Sequence, residues 1–199
     1  YPDGLFVDST GTLWVGDTLN SRVLRFDNAS FKANGANADG VLGQPNFTSS
    51  SPATTQSGMR NPWKVYVDSS GTLWVADFSN NRVLRFDDAA SKDNGADADG
   101  VLGQPDFTSS GHSTAANTMY YPIGLAMDSA GRLWVVEFYN HRVLRFDDAV
   151  SKANGANADG VLGQPNFASN TPGVTQSLMT SPKFVTIDNA NGRLFVSDS

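Results

Sequence analysis

Apolar positions in this chain come in short runs, each closed off by Gly, Asn, Asp or Ser. "LFVD" at residues 5–8, "TLWVG" at 12–16, "RVLRFD" at 22–27 and "GVLGQ" at 40–44 are rich in β-branched and aromatic residues, the pattern of strands joined by tight turns. Those four stretches are the predicted strands of one unit. No window carries the spacing of an amphipathic helix over a useful length, so the chain reads as all-β.

The pattern then repeats. "GTLWVGDTLNSRVLRFD" at residues 11–27 returns as "GTLWVADFSNNRVLRFD" at 71–87 and "GRLWVVEFYNHRVLRFD" at 131–147, and a further copy starts with "GRLFVSDS" at 192–199. The period is 60 residues, read from Gly11, Gly71 and Gly131. Pro2, Pro62, Pro122 and Pro182 open the units, which run over residues 1–61, 62–121, 122–181 and 182–199. "LWV" and "VLRF" place large apolar groups on both faces of their strands. A four-stranded sheet of that kind needs cover on both sides, and in a tandem array its neighbours provide it. The expected fold is a β-propeller of four-stranded antiparallel blades, with three full blades, part of a fourth, and an open ring.

The units resemble NHL repeats, whose pattern runs Pro-x-Gly-apolar-x-Val-Asp-x-x-Gly-x-Leu-Trp/Tyr-Val-x-Asp-x-x-Asn-x-Arg-Val. It is met from Pro2 to Val23, from Pro62 to Val83, from Pro122 to Val143 and in part from Pro182 to Asp198. The resemblance implies a ring of six or seven blades, closed by the rest of a longer chain or by other copies. Three departures stand out: Glu137 in place of Asp, Phe195 in place of Trp, and one added residue within 189–191.

Composition narrows the function classes. The 199 residues carry a net charge of -6, with no cysteine, so disulfides and thiolate metal sites are excluded. Six of nine arginines (Arg22, Arg25, Arg82, Arg85, Arg142, Arg145) are bound to the repeat, leaving few cations for a nucleic-acid surface. No apolar run is long enough for a membrane span. An extracellular or periplasmic location in a bacterium is expected.

At the turn between the second and third strands, Asp17, Asn20 and Arg22 recur as Asp77, Asn80, Arg82 and as Glu137, Asn140, Arg142. Recurrence in every unit predicts a structural clasp, with Asn serving the turn and Arg bridging the carboxylate. "DNGADADG" at residues 93–100 sets Asp97 and Asp99 two apart before a glycine. That pattern matches a calcium loop faintly and lacks its first acidic position and its downstream Glu; a Gly/Asn turn explains the same letters, and no cofactor is expected. His112 and His141 are the only histidines and form no metal motif. The resemblance nevertheless keeps a metal-dependent lyase or hydrolase at the central channel as an alternative, since lyases and lactonases of similar fold hold a metal there.

Function is expected where the copies differ. The residues outside the repeat pattern at the loop face are Trp63, Lys64, Phe78, Tyr120, Tyr121, Phe138, Tyr139, His141, Lys183 and Phe184, and the turn itself supplies Leu19, Phe78 and Tyr139. Aromatics among a few polar groups suit contact with a protein, peptide or glycan. The leading expectation is a non-catalytic binding or assembly module. A structural protein completed by neighbouring copies is the third reading, because open blade edges are adhesive.

Overall fold

The computed structural model describes all of residues 1–199. Strands β1 (Pro2–Val7), β2 (Leu13–Asp17), β3 (Arg22–Phe26) and β4 (Gly40–Leu42) form one antiparallel sheet in that order. Strands β5 (Pro62–Val67), β6 (Leu73–Asp77), β7 (Arg82–Phe86) and β8 (Gly100–Leu102) repeat it. So do β9 (Pro122–Met127), β10 (Leu133–Glu137), β11 (Arg142–Phe146) and β12 (Gly160–Leu162). Strands β13 (Phe184–Asp188) and β14 (Arg193–Ser197) pair alone. The molecule is an all-β propeller with an open ring: three four-stranded blades and the first hairpin of a fourth. No helix is long and apolar enough to cross a membrane.

The second and third strands differ from the sequence pattern by one residue at their ends, the first and fourth by more. β1 begins at Pro2, because Pro2 pairs with Asp17 across a bulge. β4 stops at Leu42, because Gly43 takes a φ of +86° and turns the chain before Gln44. Gln44 instead donates its side-chain amide to the carbonyls of Ser21 and Ser51, at 3.0 and 2.9 Å.

The core lies between blades. Trp14, Val23, Leu42 and Met59 of the first blade bury against Val65, Leu84, Phe86 and Ala98 of the second. Their counterparts Trp74, Val83, Leu102 and Met119 bury against Leu125, Leu144, Phe146 and Ala158 of the third. The two-sided apolar strands are thus covered by the next copy of themselves. The first strands β1, β5, β9 and β13 pack side by side on the inner side of the open ring. Gly4 permits this: a Cβ there would sit 2.3 Å from the Trp63 carbonyl oxygen.

Two polar devices hold each unit. Asp8 accepts the backbone N–H groups of Thr10 and Thr12 and the Trp14 indole N–H at 2.9 Å; Asp68 and Asp128 do the same with Trp74 and Trp134, each at 3.2 Å. In the fourth unit Phe195 has no indole N–H. There the Asn191 amide donates to Asp188 Oδ2 at 2.7 Å, so the added residue and the Trp-to-Phe departure compensate each other. The second device joins blades. Asn94 accepts the Val41 N–H at 2.9 Å while Gly95 donates to the Val41 carbonyl at 2.9 Å, and Asn154 and Gly155 grip Val101 in the same way, at 3.0 and 3.1 Å. The "NGA" turns of the second and third units thereby satisfy the otherwise open edge of the preceding blade's last strand.

Candidate recognition face at the loop end

The turns between second and third strands and the long connections between blades lie at one end of the propeller. The carboxylate–Asn–Arg sets hold them together. Asp77 accepts from Arg82 Nε at 2.7 Å, Asn80 Nδ2 at 2.9 Å and the Arg60 N–H at 2.7 Å. The rest of the Arg82 guanidinium donates to the carbonyls of Thr55, Gly58 and Phe107. One buried fork therefore ties the connection before its blade to the connection after it. Glu137 accepts from Arg142, Asn140 and the Tyr120 N–H, and Arg142 reaches the carbonyls of Thr114 and Phe167. The longer Glu fills the Asp role unchanged. Asp17, Asn20 and Arg22 make the same set with fewer outside partners. Burial pushes the carboxyls of Asp77 and Glu137 up, and the adjacent guanidinium opposes it.

On this frame the structure gathers seven rings. Trp63 and Phe78 lie 5.1 Å apart between centroids; Phe78 stacks on Tyr121 at 4.2 Å with 11° between planes. Tyr121 touches Tyr120 at 4.9 Å and Tyr139 at 5.2 Å, and Tyr139 touches Phe138 at 5.0 Å. His112, which the sequence left unassigned, stacks on Tyr120 at 3.9 Å. Phe78 and Phe138 stand where the first blade has Thr18, whose hydroxyl donates to the Pro62 carbonyl at 2.8 Å; Tyr139 stands where it has Leu19. Tyr139 is the most open of the tyrosines here, at 46% exposure.

Tyr121 also holds a backbone φ of +54°, a left-handed conformation that bulky residues avoid. The first connection has Asn61 at that point, a residue type that accepts it more easily, and the third the small Ser181, at φ of +55° and +51°. Asn81 fixes the strained residue by accepting the Tyr121 N–H on its side-chain oxygen at 3.0 Å.

The other predicted residues go elsewhere. His141 is the counterpart of Asn81: its Nδ1 accepts the Ser181 N–H at 2.9 Å, and burial pushes its pKa down, with Asp198 opposing. It serves as a blade-to-blade fastener. Lys183 and Phe184 lie exposed, just before and at the start of the fourth-unit hairpin, and Lys64 sits on the inner side of the ring. Asp99 accepts the Asp87 N–H and pairs with Lys92 at 2.9 Å, as Asp39 does with Lys32 and Asp159 with Lys152. It is thus engaged in the turn rather than joined with Asp97, and no three His, Cys, Asp or Glu side chains come together in a metal-holding group.

The NHL repeat family model matches residues 59–86 and 119–146. The second and third units carry NHL repeats. Both matches run from the buried methionine of a connection through the third strand of the following blade, so they contain the Asp–Trp pair and the Arg clasp. No curated protein matches the sequence. Among solved structures, the chain is similar to a streptogramin B lyase (TM-score 0.56, 14% identity, 99% of this chain and 48% of that one). It is also similar to the virginiamycin B lyase of Staphylococcus aureus (0.54, 15%, 99% and 48%). A third likeness is a protein of unknown function from Bacteroides thetaiotaomicron (0.63, 11%, 100% and 44%). These likenesses concern the fold, and the chain spans about half the length of each structure.

Proposed function

We propose that this NHL-repeat propeller is a non-catalytic binding module that recognises a protein, peptide or glycan through the aromatic face of its second and third blades. The carrying observation is the continuous contact of Trp63, Phe78, Tyr120, Tyr121, Phe138 and Tyr139, with His112 stacked at its rim. Flat rings held at low entropic cost are the usual anchors of recognition surfaces, and the left-handed Tyr121 shows an aromatic placed against local backbone preference. The first blade, with Thr18 and Leu19 at the same turn, has no such cluster. Screening the immobilised chain on glycan and peptide arrays tests the reading. Ligands are expected whose affinity falls at least about tenfold in Tyr120→Ala and Tyr139→Ala while Phe184→Ala leaves it unchanged. Retention of every ligand by both tyrosine variants refutes the proposal.

A further inference from the structure

A second feature lies away from the aromatic cluster, where the four first strands meet. Phe6 of β1, Lys64 and Tyr66 of β5, Leu125 and Met127 of β9 and Ile187 of β13 line a cavity of about 220 Å³. Most of the lining residues are apolar, although polar atoms make up the larger part of the surface that they expose. The one charged group in it is the Lys64 ammonium, and no carboxylate faces it.

Lys64 is unusual in this molecule. Arg22, Arg25, Lys32, Arg82, Arg85, Lys92, Arg132, Arg142, Arg145 and Lys152 are all in ion pairs; of the cations outside them, Arg60, Lys183 and Arg193 are exposed, whereas Lys64 is half-buried. Its one hydrogen bond is a 3.4 Å donation to the Leu5 carbonyl, which leaves donor capacity on the ammonium. Burial pushes its pKa down, and no neighbouring charge opposes the shift. Position adds to this. The other units have Gly4, Gly124 and Phe184 at the same point, and at Gly4 and Gly124 the next inner strand comes too close for a Cβ: 2.3 Å from the Trp63 oxygen and 2.9 Å from the Lys183 oxygen. Packing of the repeat therefore does not call for a lysine, and a residue that breaks a local rule without a structural return marks a functional position.

We propose that this cavity binds a small organic monocarboxylate, with the carboxylate on Lys64 Nζ and an apolar body against Tyr66, Leu125 and Met127. A carboxylate supplies the acceptor that Leu5 only partly provides and neutralises a charge that its surroundings penalise. One cation matches one negative charge, whereas a phosphate dianion calls for several donors or an arginine fork. The volume, below the several hundred Å³ of drug-sized sites, limits the ligand to a small acid.

The test titrates the whole chain with 3-phenylpropionate and with its neutral isostere 3-phenylpropanamide, following the methyl signals of Met127 and Ile187 by NMR. The carboxylate is expected to give saturable shifts and to bind at least about tenfold tighter than the amide. Lys64→Met is expected to remove that preference while leaving the weak binding of the amide as it was, and Tyr139→Ala to change neither. Equal binding of acid and amide, an unaltered preference in Lys64→Met, or no saturable shift up to about 10 mM acid overturns the proposal. Lys64→Gln provides the same comparison if the methionine variant fails to fold. Because Tyr139→Ala separates the two surfaces, loss of this site leaves the aromatic reading standing.

Discussion

Replacing Arg82 by methionine keeps most of the apolar stem of the side chain and removes its charged guanidinium. In the native blade the Arg82 and Asp77 side chains are both 0% exposed, so Asp77 would be left as a buried carboxylate with only Asn80 and the Arg60 N–H as donors. Breaking a buried pair from one side costs about 3–5 kcal/mol. The carbonyls of Thr55, Gly58 and Phe107 lose their donor as well, and each dry carbonyl adds up to roughly 1–3 kcal/mol unless water reaches it. A loss of about 4–6 kcal/mol is therefore expected, a large part of the roughly 5–15 kcal/mol by which domains are stable. Arg22→Met is the internal control. There the partners are 16% and 13% exposed, water can take the place of the guanidinium, and the one carbonyl served is that of Phe47; about 1–2 kcal/mol is expected. Urea unfolding followed by tryptophan fluorescence measures both. The double variant Asp77→Leu with Arg82→Met, which leaves no lone charge, is expected to cost less than Arg82→Met alone. If Arg82→Met falls within about 1 kcal/mol of Arg22→Met, the clasp is not what ties the connections together.

Two further expectations concern the blade junction and acid. Gly95→Val is expected to destabilise by more than Asn94→Ala, which loses one hydrogen bond of about 1 kcal/mol, because Gly95 has a φ of +71° and a Cβ there would meet Pro45 Cα at 2.8 Å; Gly35→Val, where nothing lies within 4 Å, is expected to show only the backbone cost, and equal losses for the two glycine variants in urea melts would falsify the junction. Asp39 is held below its ordinary value by the Lys32 ammonium and then the Asp27 N–H, Asp106 by the Thr108 N–H, and Asp188 by the Asn191 amide. Since these folded values lie below the unfolded 3.8, the unfolded chain takes up protons first on acidification: their contribution is complete above about pH 4 and drains as pH falls through that value. Because the His141 pKa is also lowered from 6.5, the urea midpoint should fall a little from pH 7 to 5 and further by pH 3, with the second drop reduced in Asp39→Asn combined with Asp188→Asn.

The repeat was legible because it is written in the chain at a fixed period: the proline openings, the "LWV" and "VLRF" runs and the turn residues place each strand to within a few residues. Asp17, Arg22 and their counterparts were legible as clasps for the same reason, since one charge pair in every blade is cheaper to explain as packing than as chemistry. The six-residue spacing from Asp8 to Trp14 was equally regular, but only the folded hairpin shows that it brings a carboxylate to an indole N–H. The role of "NGA" was not legible at all. Its partner is the edge of the preceding blade, and a turn that satisfies its own backbone looks the same in sequence as one that grips a neighbour.

The candidate sites divide in the same way. Sequence by itself determined which residues break the repeat, and so named Trp63, Lys64, Phe78, Tyr120, Tyr121, Phe138 and Tyr139 together with His141, Lys183 and Phe184 as one set. Tertiary structure decided how that set separates: six rings converge with His112, His141 becomes a fastener, and Lys64 turns inward to a cavity of its own. The physical reason is that blade stacking, not chain order, sets distance here. Residues 40 or more apart in sequence, such as Phe78 and Tyr121, come ring to ring, while adjacent Trp63 and Lys64 alternate across an extended strand and reach opposite surroundings.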